Sequence, residues 1–103
     1  MPRKPIDEYR FSPAAQTDLD KIWDYTAEIW SPEQAESYLR GLGEKLEVLC
    51  SYPEIARERL EIDPPVRLHP YRSHLIIYRI ESTHLAIVRV VHNRQRWQAL
   101  LSE

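Results

Sequence analysis

His92, Arg67 and Arg72 are the residues of this chain whose types could do chemistry together. Cleaving RNA without a metal needs a base for the 2′-hydroxyl, an acid for the leaving oxygen and cations on the scissile phosphate. His92 follows an aliphatic run, Leu85–Val91, that would present its imidazole at the end of a strand, and Arg67, Arg72, Arg79 and Arg89 could supply the cations. A tyrosine would have to come from Tyr71 or Tyr78, if the fold carries either to that point. The plainer reading gives His74 and His92 structural work at strand ends, bridging backbone groups or capping an arginine. A metal site fits poorly. His69 and His74 are five apart across Pro70 with no cysteine or carboxylate cluster beside them, so neither a metal nor a cofactor is expected.

These residues belong to an uneven charge distribution. Residues 1–65 hold 8 Lys and Arg against 14 Asp and Glu, whereas residues 66–103 hold 6 arginines, no lysine, and only Glu81 and Glu103 as acids. All four histidines fall in that second part. Arginine grips carboxylate and phosphate in planar, bidentate fashion, so this third of the chain suits an anionic partner, either nucleic acid or an acidic protein segment. Arginines paired internally with the acids of the first part are the ordinary alternative. Arg79 and Arg89, set among aliphatics, need partners, and Asp18, Asp20 or a binding protein would serve. Arg94-Gln95-Arg96-Trp97 mixes cation, amide and aromatic, as binding surfaces do. Against that, Trp97, Leu100 and Leu101 could fold back to cover a sheet.

The elements that must position these groups follow from local signals. Glu8–Phe11 alternates as a short strand. Ser12-Pro13 and Ser31-Pro32 each read as a hydroxyl N-cap followed by proline at the first helical position. Ala15, Leu19, Ile22, Trp23, Thr26 and Trp30 make the inner stripe of the first helix; Ala35, Tyr38, Leu39, Leu42, Leu46 and Leu49 make that of the second, which ends at Tyr52-Pro53. The near-absence of a linker predicts an antiparallel helical hairpin. Gly41 and Gly43 stand inside the second helix at a cost of about 1 kcal/mol each. Residues 53–65 read as a connection, and Val66–His69, His74–Ile80 and Leu85–Val91 as strands, the last two joined by a Glu81–His84 loop. The expectation is a two-layer α+β domain spanning residues 1–103, ordered β-α-α-β-β-β, its hairpin packed on a mostly antiparallel four-stranded sheet. At 103 residues there is room for one domain. The basic start Met1–Pro5 has no apolar run behind it and Cys50 is the lone cysteine, so a reduced, cytoplasmic protein that makes no use of a membrane is expected.

The ordered fragments resemble the ParE branch of the RelE/ParE toxins. They are Tyr9-x-Phe11-Ser12-x-x-Ala15, Asp18-Leu19-x-x-Ile22-Trp23-x-Tyr25, Trp30-Ser31 with Gln34-Ala35, and Leu49-x-x-x-Pro53. Arg67, His74-x-Ile76-x-Tyr78-Arg79 and Ile87–His92-x-Arg94-Gln95 complete the set, which runs through residues 9–101. The resemblance implies a toxin that inhibits DNA gyrase by binding it, with no catalytic residues. It also implies neutralisation by a ParD-like antitoxin whose acidic C-terminal segment folds on binding. Arg94, Arg96 and Trp97 are the expected target-binding residues, and Trp30, Tyr38, Arg67, Leu75 and Arg79 the expected antitoxin-binding ones. The chain alone is not expected to read a DNA sequence. RelE-type relatives are ribosome-dependent mRNA endoribonucleases. In one such subgroup a His-Tyr pair ends the last strand where this chain has His92-Asn93. A non-toxic member acting only as corepressor with its antitoxin is the third reading.

Overall fold

The computed structural model describes residues 6–101; the N-terminal stretch Met1–Pro5 and Glu103, both used in the charge reading, lie outside them. The elements are β1 (Tyr9–Phe11), α1 (Pro13–Ile29), α2 (Pro32–Ser51), β2 (Glu58–Arg59), β3 (Val66–Tyr71), β4 (His74–Ile80), β5 (Leu85–His92) and α3 (Trp97–Leu101). Both helices start where the Ser-Pro signals stand. Ser12 Oγ accepts the Ala15 N–H at 3.0 Å and Ser31 Oγ accepts the Gln34 N–H at 3.0 Å, each satisfying a donor that the first helical turn leaves open.

The sheet has five strands in the order β1-β5-β4-β3-β2, with β1 parallel to β5 and the remaining pairs antiparallel. The expected count of four is corrected by β2, a two-residue edge strand that pairs Glu58 with Arg67 and Arg59 with Val66. Two residues carry no alternation to read. β3 also runs through Pro70 to Tyr71, past the expected end at His69. Because β2 covers only Val66 and Arg67, Pro70 sits on an open edge, where a proline is tolerated.

Two apolar layers hold the sheet. On the helix side Leu42, Leu46 and Leu49 of α2 meet Ile76, Tyr78, Leu85, Ile87 and Val90. Burying each such leucine contributes about 1.5–3 kcal/mol. On the other side Val66, Ile77, Val91 and Trp97 pack with Leu68, Leu75, Val88, Leu100 and Leu101. The α3 tail thus covers the outer face of the sheet. Gly41 is explained by close approach: a Cβ there would collide with the Tyr71 hydroxyl, which donates to the Tyr38 carbonyl at 2.9 Å. Gly43 has no such reason, since its nearest neighbour would be the Tyr9 hydroxyl at 3.9 Å.

One irregularity decides what stands opposite what. From the loop inward, Ile80 pairs with Leu85, Arg79 with Ala86 and Tyr78 with Ile87. Ile77 then pairs with Arg89, which leaves Val88 as an extra residue, a β-bulge. In the unbroken register His74 would face Val91. With the bulge it faces His92.

Candidate functional site

Two structural features meet at the His74–His92 end of the sheet. The first is the α1–α2 bend, which leaves Tyr25, Ile29 and Trp30 exposed, Trp30 by 74%. The second is the end of the β4–β5 pair with the turn that follows it. Between them lies an open cleft of about 780 Å³ whose walls include Lys21, Trp30, Tyr38, Arg89 and Arg94 as well as both histidines.

A row of rings runs from the core into this cleft. Tyr71 lies edge-on to Tyr38 (centroids 5.1 Å apart), Tyr38 to His74 (5.5 Å) and His74 to His92 (5.5 Å). Tyr38 Oη is 2.7 Å from His74 Nδ1. Burial pushes the Tyr38 phenol up and a hydrogen bond from the Ser73 backbone opposes it. The phenol therefore keeps its proton, and its oxygen and Nδ1 share one hydrogen bond whose direction is set by the His74 tautomer. Burial first, and the neighbouring His92 second, hold His74 below the usual imidazole range, with Asp18 pulling the other way. His92 Nδ1 accepts the Arg94 N–H at 3.1 Å, and the His92 N–H donates to Gln95 Oε1 at 3.2 Å. Both histidines thus do the structural work expected of strand ends, and in each ring Nε2 is the nitrogen left to a ligand.

Arg89 forms the side wall. Its Nε and Nη2 donate to the two Asp18 oxygens at 2.7 and 2.9 Å, and the Val90 N–H donates to Asp18 as well, at 3.0 Å. Asp18, 9% exposed, is the partner that the mid-strand arginine required. It also satisfies a backbone donor on β5 beyond the point where β1 stops pairing. Ser12 does the same for the Val88 carbonyl, donating from Oγ at 2.7 Å.

The residues singled out from sequence are divided among three places. Trp30, Tyr38, His92 and Arg94 line the cleft. Arg72, at positive φ (51°) in the β3–β4 turn, lies over the Tyr71 ring at 5.8 Å, close to Tyr38. Arg67 and Arg79 line a smaller hollow at the other end of β4, about 370 Å³, together with Glu58 and Glu81. There Arg67 donates to the Ala56 carbonyl at 2.6 Å and Arg79 stands 3.4 Å from Glu81. Leu75 belongs to the outer layer. Arg96 is exposed, but Trp97 is 9% exposed, packed on that outer layer with Arg59 over its ring at 5.8 Å. This corrects the expectation of Trp97 as a presented aromatic: the ring covers the sheet. Tyr71 and Tyr78 are buried with their hydroxyls on the Tyr38 and Pro53 carbonyls, so neither completes a site with His92. The tyrosine brought to the histidines is Tyr38, from a helix 36 residues upstream. Its place on the inner stripe near the helix bend was the only available signal. Among the described residues no group of three or more His, Cys, Asp or Glu is arranged to hold a metal ion.

A helical hairpin laid on a mostly antiparallel sheet, with a cationic cleft at its open end, defines a small α+β domain. Residues 9–97 match the family described as ParE toxin of type II toxin–antitoxin system, parDE. The chain is 42% identical over 88 residues to Toxin ParE1 of Mycobacterium tuberculosis, covering 84% of this chain and 89% of that one. It is 32% identical over 93 residues to Toxin ParE1 of Caulobacter vibrioides, covering 90% and 96%. A solved chain of the chromosomal ParDE system from P. aeruginosa shares the fold, with a TM-score of 0.72 at 20% identity over 86% of this chain and 98% of that one. This chain belongs to the ParE toxin family.

Proposed function

We propose that the chain acts by binding DNA gyrase, without a catalytic step of its own, and that a ParD-like antitoxin with an acidic C-terminal segment neutralises it. One observation beyond family membership supports the non-catalytic reading. His92 and Arg67, two of the three residues singled out for phosphodiester cleavage, sit towards opposite ends of the β3–β4–β5 sheet. His74, beside His92, is four residues from the Arg67-paired Tyr78, roughly 13 Å along the strand at about 3.3 Å per residue. Arg67 is committed there to the Ala56 carbonyl.

Induced expression should raise the DNA-damage response and leave gyrase-linked broken DNA, with bulk mRNA cut no more than in control cells. His92→Ala should keep most of the toxicity, whereas Arg94→Ala with Arg96→Ala should reduce it, since Arg94 lines the cleft and Arg96 is exposed two residues further on. The Tyr38–His74–His92 row favours one second reading, a ribosome-dependent mRNA endoribonuclease. Codon-positioned mRNA cuts that vanish in a folded His92→Ala variant would replace the gyrase reading with that one.

A further inference from the structure

We infer that the cleft between the α1–α2 bend and the His74–His92 strand ends receives a carboxylate side chain of an acidic peptide segment, and that this carboxylate binds together with a proton taken up by the histidine pair. The inference rests on the antitoxin reading above and names the subsite and its pH dependence.

The cleft is built for an anion. The titratable and charged groups lining the cleft with the pair are Asp18, Lys21 and Tyr25 from α1, Tyr38 from α2, Arg89 from β5 and Arg94 from the turn after it, while Arg72 in the β3–β4 turn acts on Tyr38. Asp18 is the one carboxylate among them, and Arg89 with the Val90 N–H already engages both its oxygens. Lys21 and Arg94 therefore leave a positive balance around two imidazoles whose rings stand 5.5 Å apart. Each ring has its Nδ1 in use, His74 with Tyr38 and His92 with the Arg94 N–H, so Nε2 of each is the nitrogen offered to a ligand. The proton taken up completes the His74 imidazolium, in which Nδ1–H donates to the Tyr38 oxygen and Nε2–H to the carboxylate. Burial and its neighbour disfavour the charged form of His74 while the cleft is empty. An incoming carboxylate reverses that balance, because an opposite charge within about 4–6 Å favours the protonated imidazole.

The occupant is a peptide rather than a nucleic-acid strand because the cationic area is short and its surroundings are acidic. Asp20, Asp24, Glu28 and Glu33 are exposed along the hairpin beside the cleft. A phosphate at every nucleotide would meet them, whereas a peptide can set one carboxylate in the cleft and apolar residues on exposed Tyr25, Ile29 and Trp30.

The test uses a short acetylated and amidated peptide with one Glu among leucines and serines, its Gln-for-Glu counterpart and a single-stranded oligoribonucleotide of equal length. The Glu peptide should bind at least about tenfold more tightly at about pH 5.5 than at about pH 8, a window in which its own carboxylate (about 4.3) stays ionised and histidine titrates. His92→Gln should flatten that dependence, and so should His74→Gln. In NMR titrations the Glu peptide should raise the imidazole pKa of His74, and the Gln peptide should not. Affinity that does not change with pH, absence of Glu-peptide binding, or tighter binding of the oligoribonucleotide at the same histidines would each overturn the inference. If the full ParD-type antitoxin still binds in any of those cases, the antitoxin reading stands and only the subsite fails. If that antitoxin does not bind either, the wider reading fails with it.

Discussion

The two ends of the β4–β5 hairpin use the same arginine-rich sequence in different ways. At the Ile80–Leu85 end the register is regular, Arg67 and Arg79 share a hollow with Glu58 and Glu81, and each arginine has a partner from the chain itself. At the His74–His92 end the extra residue Val88 changes the register, and Arg94, Lys21 and two histidines surround an open cleft with one internal carboxylate. A stretch of basic sequence therefore says nothing about where an anion can bind until the pairing within the chain is known. The first end resembles an internally neutralised surface, and the second a receptive one.

Breaking the ion pair that anchors the receptive end should have the largest effect. Asp18→Ala removes two hydrogen bonds from Arg89 and the acceptor of the Val90 N–H, with the Arg89 side chain 22% and the Asp18 side chain 10% exposed. Losing one side of such a pair costs about 3–5 kcal/mol when buried, and here the lower part of that range is expected. Arg79→Ala at the other end breaks a contact with a 43%-exposed Glu81 side chain and should cost under about 1 kcal/mol. Urea unfolding of the two variants measures the contrast. Equal losses would mean that the two ends are anchored alike.

Much of this was legible in the sequence where the determining chemistry is local. Ser12-Pro13 and Ser31-Pro32 start helices because a hydroxyl and a proline meet the needs of the first turn within four residues. The limits of β4 were plain because its aliphatic run is bounded by turn residues. The determinants of the cleft are not local. Val88 is one aliphatic residue among several, and nothing near it marks a bulge, yet the bulge puts His92 opposite His74. The Tyr38–His74 bond spans 36 residues and the Arg89–Asp18 pair 71. Asp18 stood among the acids named for Arg89, but choosing it required knowing which face of α1 meets β5. Trp97 fits a cation–aromatic surface and a sheet cover equally well by composition, and burial on the outer layer decided between them.

A smaller effect separates the two glycines of α2. Gly41 lies under the Tyr71 hydroxyl, whose bond to the Tyr38 carbonyl helps fix the ring row leading to His74. Gly41→Ala must displace that ring and should cost about 1–3 kcal/mol, the usual penalty for overpacking. Gly43→Ala meets only ordinary contact and should stabilise by up to about 1 kcal/mol through helix propensity. Thermal melts of the pair decide it. A stabilised Gly41→Ala would mean that the Tyr71 ring is free to move and that the row is loosely held.

The smallest effect is a pH dependence whose sign distinguishes the empty cleft from the filled one. Burial holds both His69 and His74 below the ordinary imidazole value, aided by Lys45 for His69 and by His92 for His74. Unfolding returns them to about 6.5, so just below that pH the unfolded chain binds more protons than the folded one. Their contribution is therefore fully present above about pH 6.5, declines as pH falls towards the depressed folded values, and levels off below them. Urea midpoints compared at about pH 7.5 and about pH 5.5 should show the acid-side loss, reduced in His74→Gln and in His69→Gln. With the Glu peptide at saturation, the His74 part should change sign, because a bound carboxylate favours the proton that the empty cleft resists. The His69 part should stay as it was, since His69 does not line the cleft. A His74→Gln variant that matches the parent with and without peptide would place the acid sensitivity elsewhere and leave the receptive end without its proton.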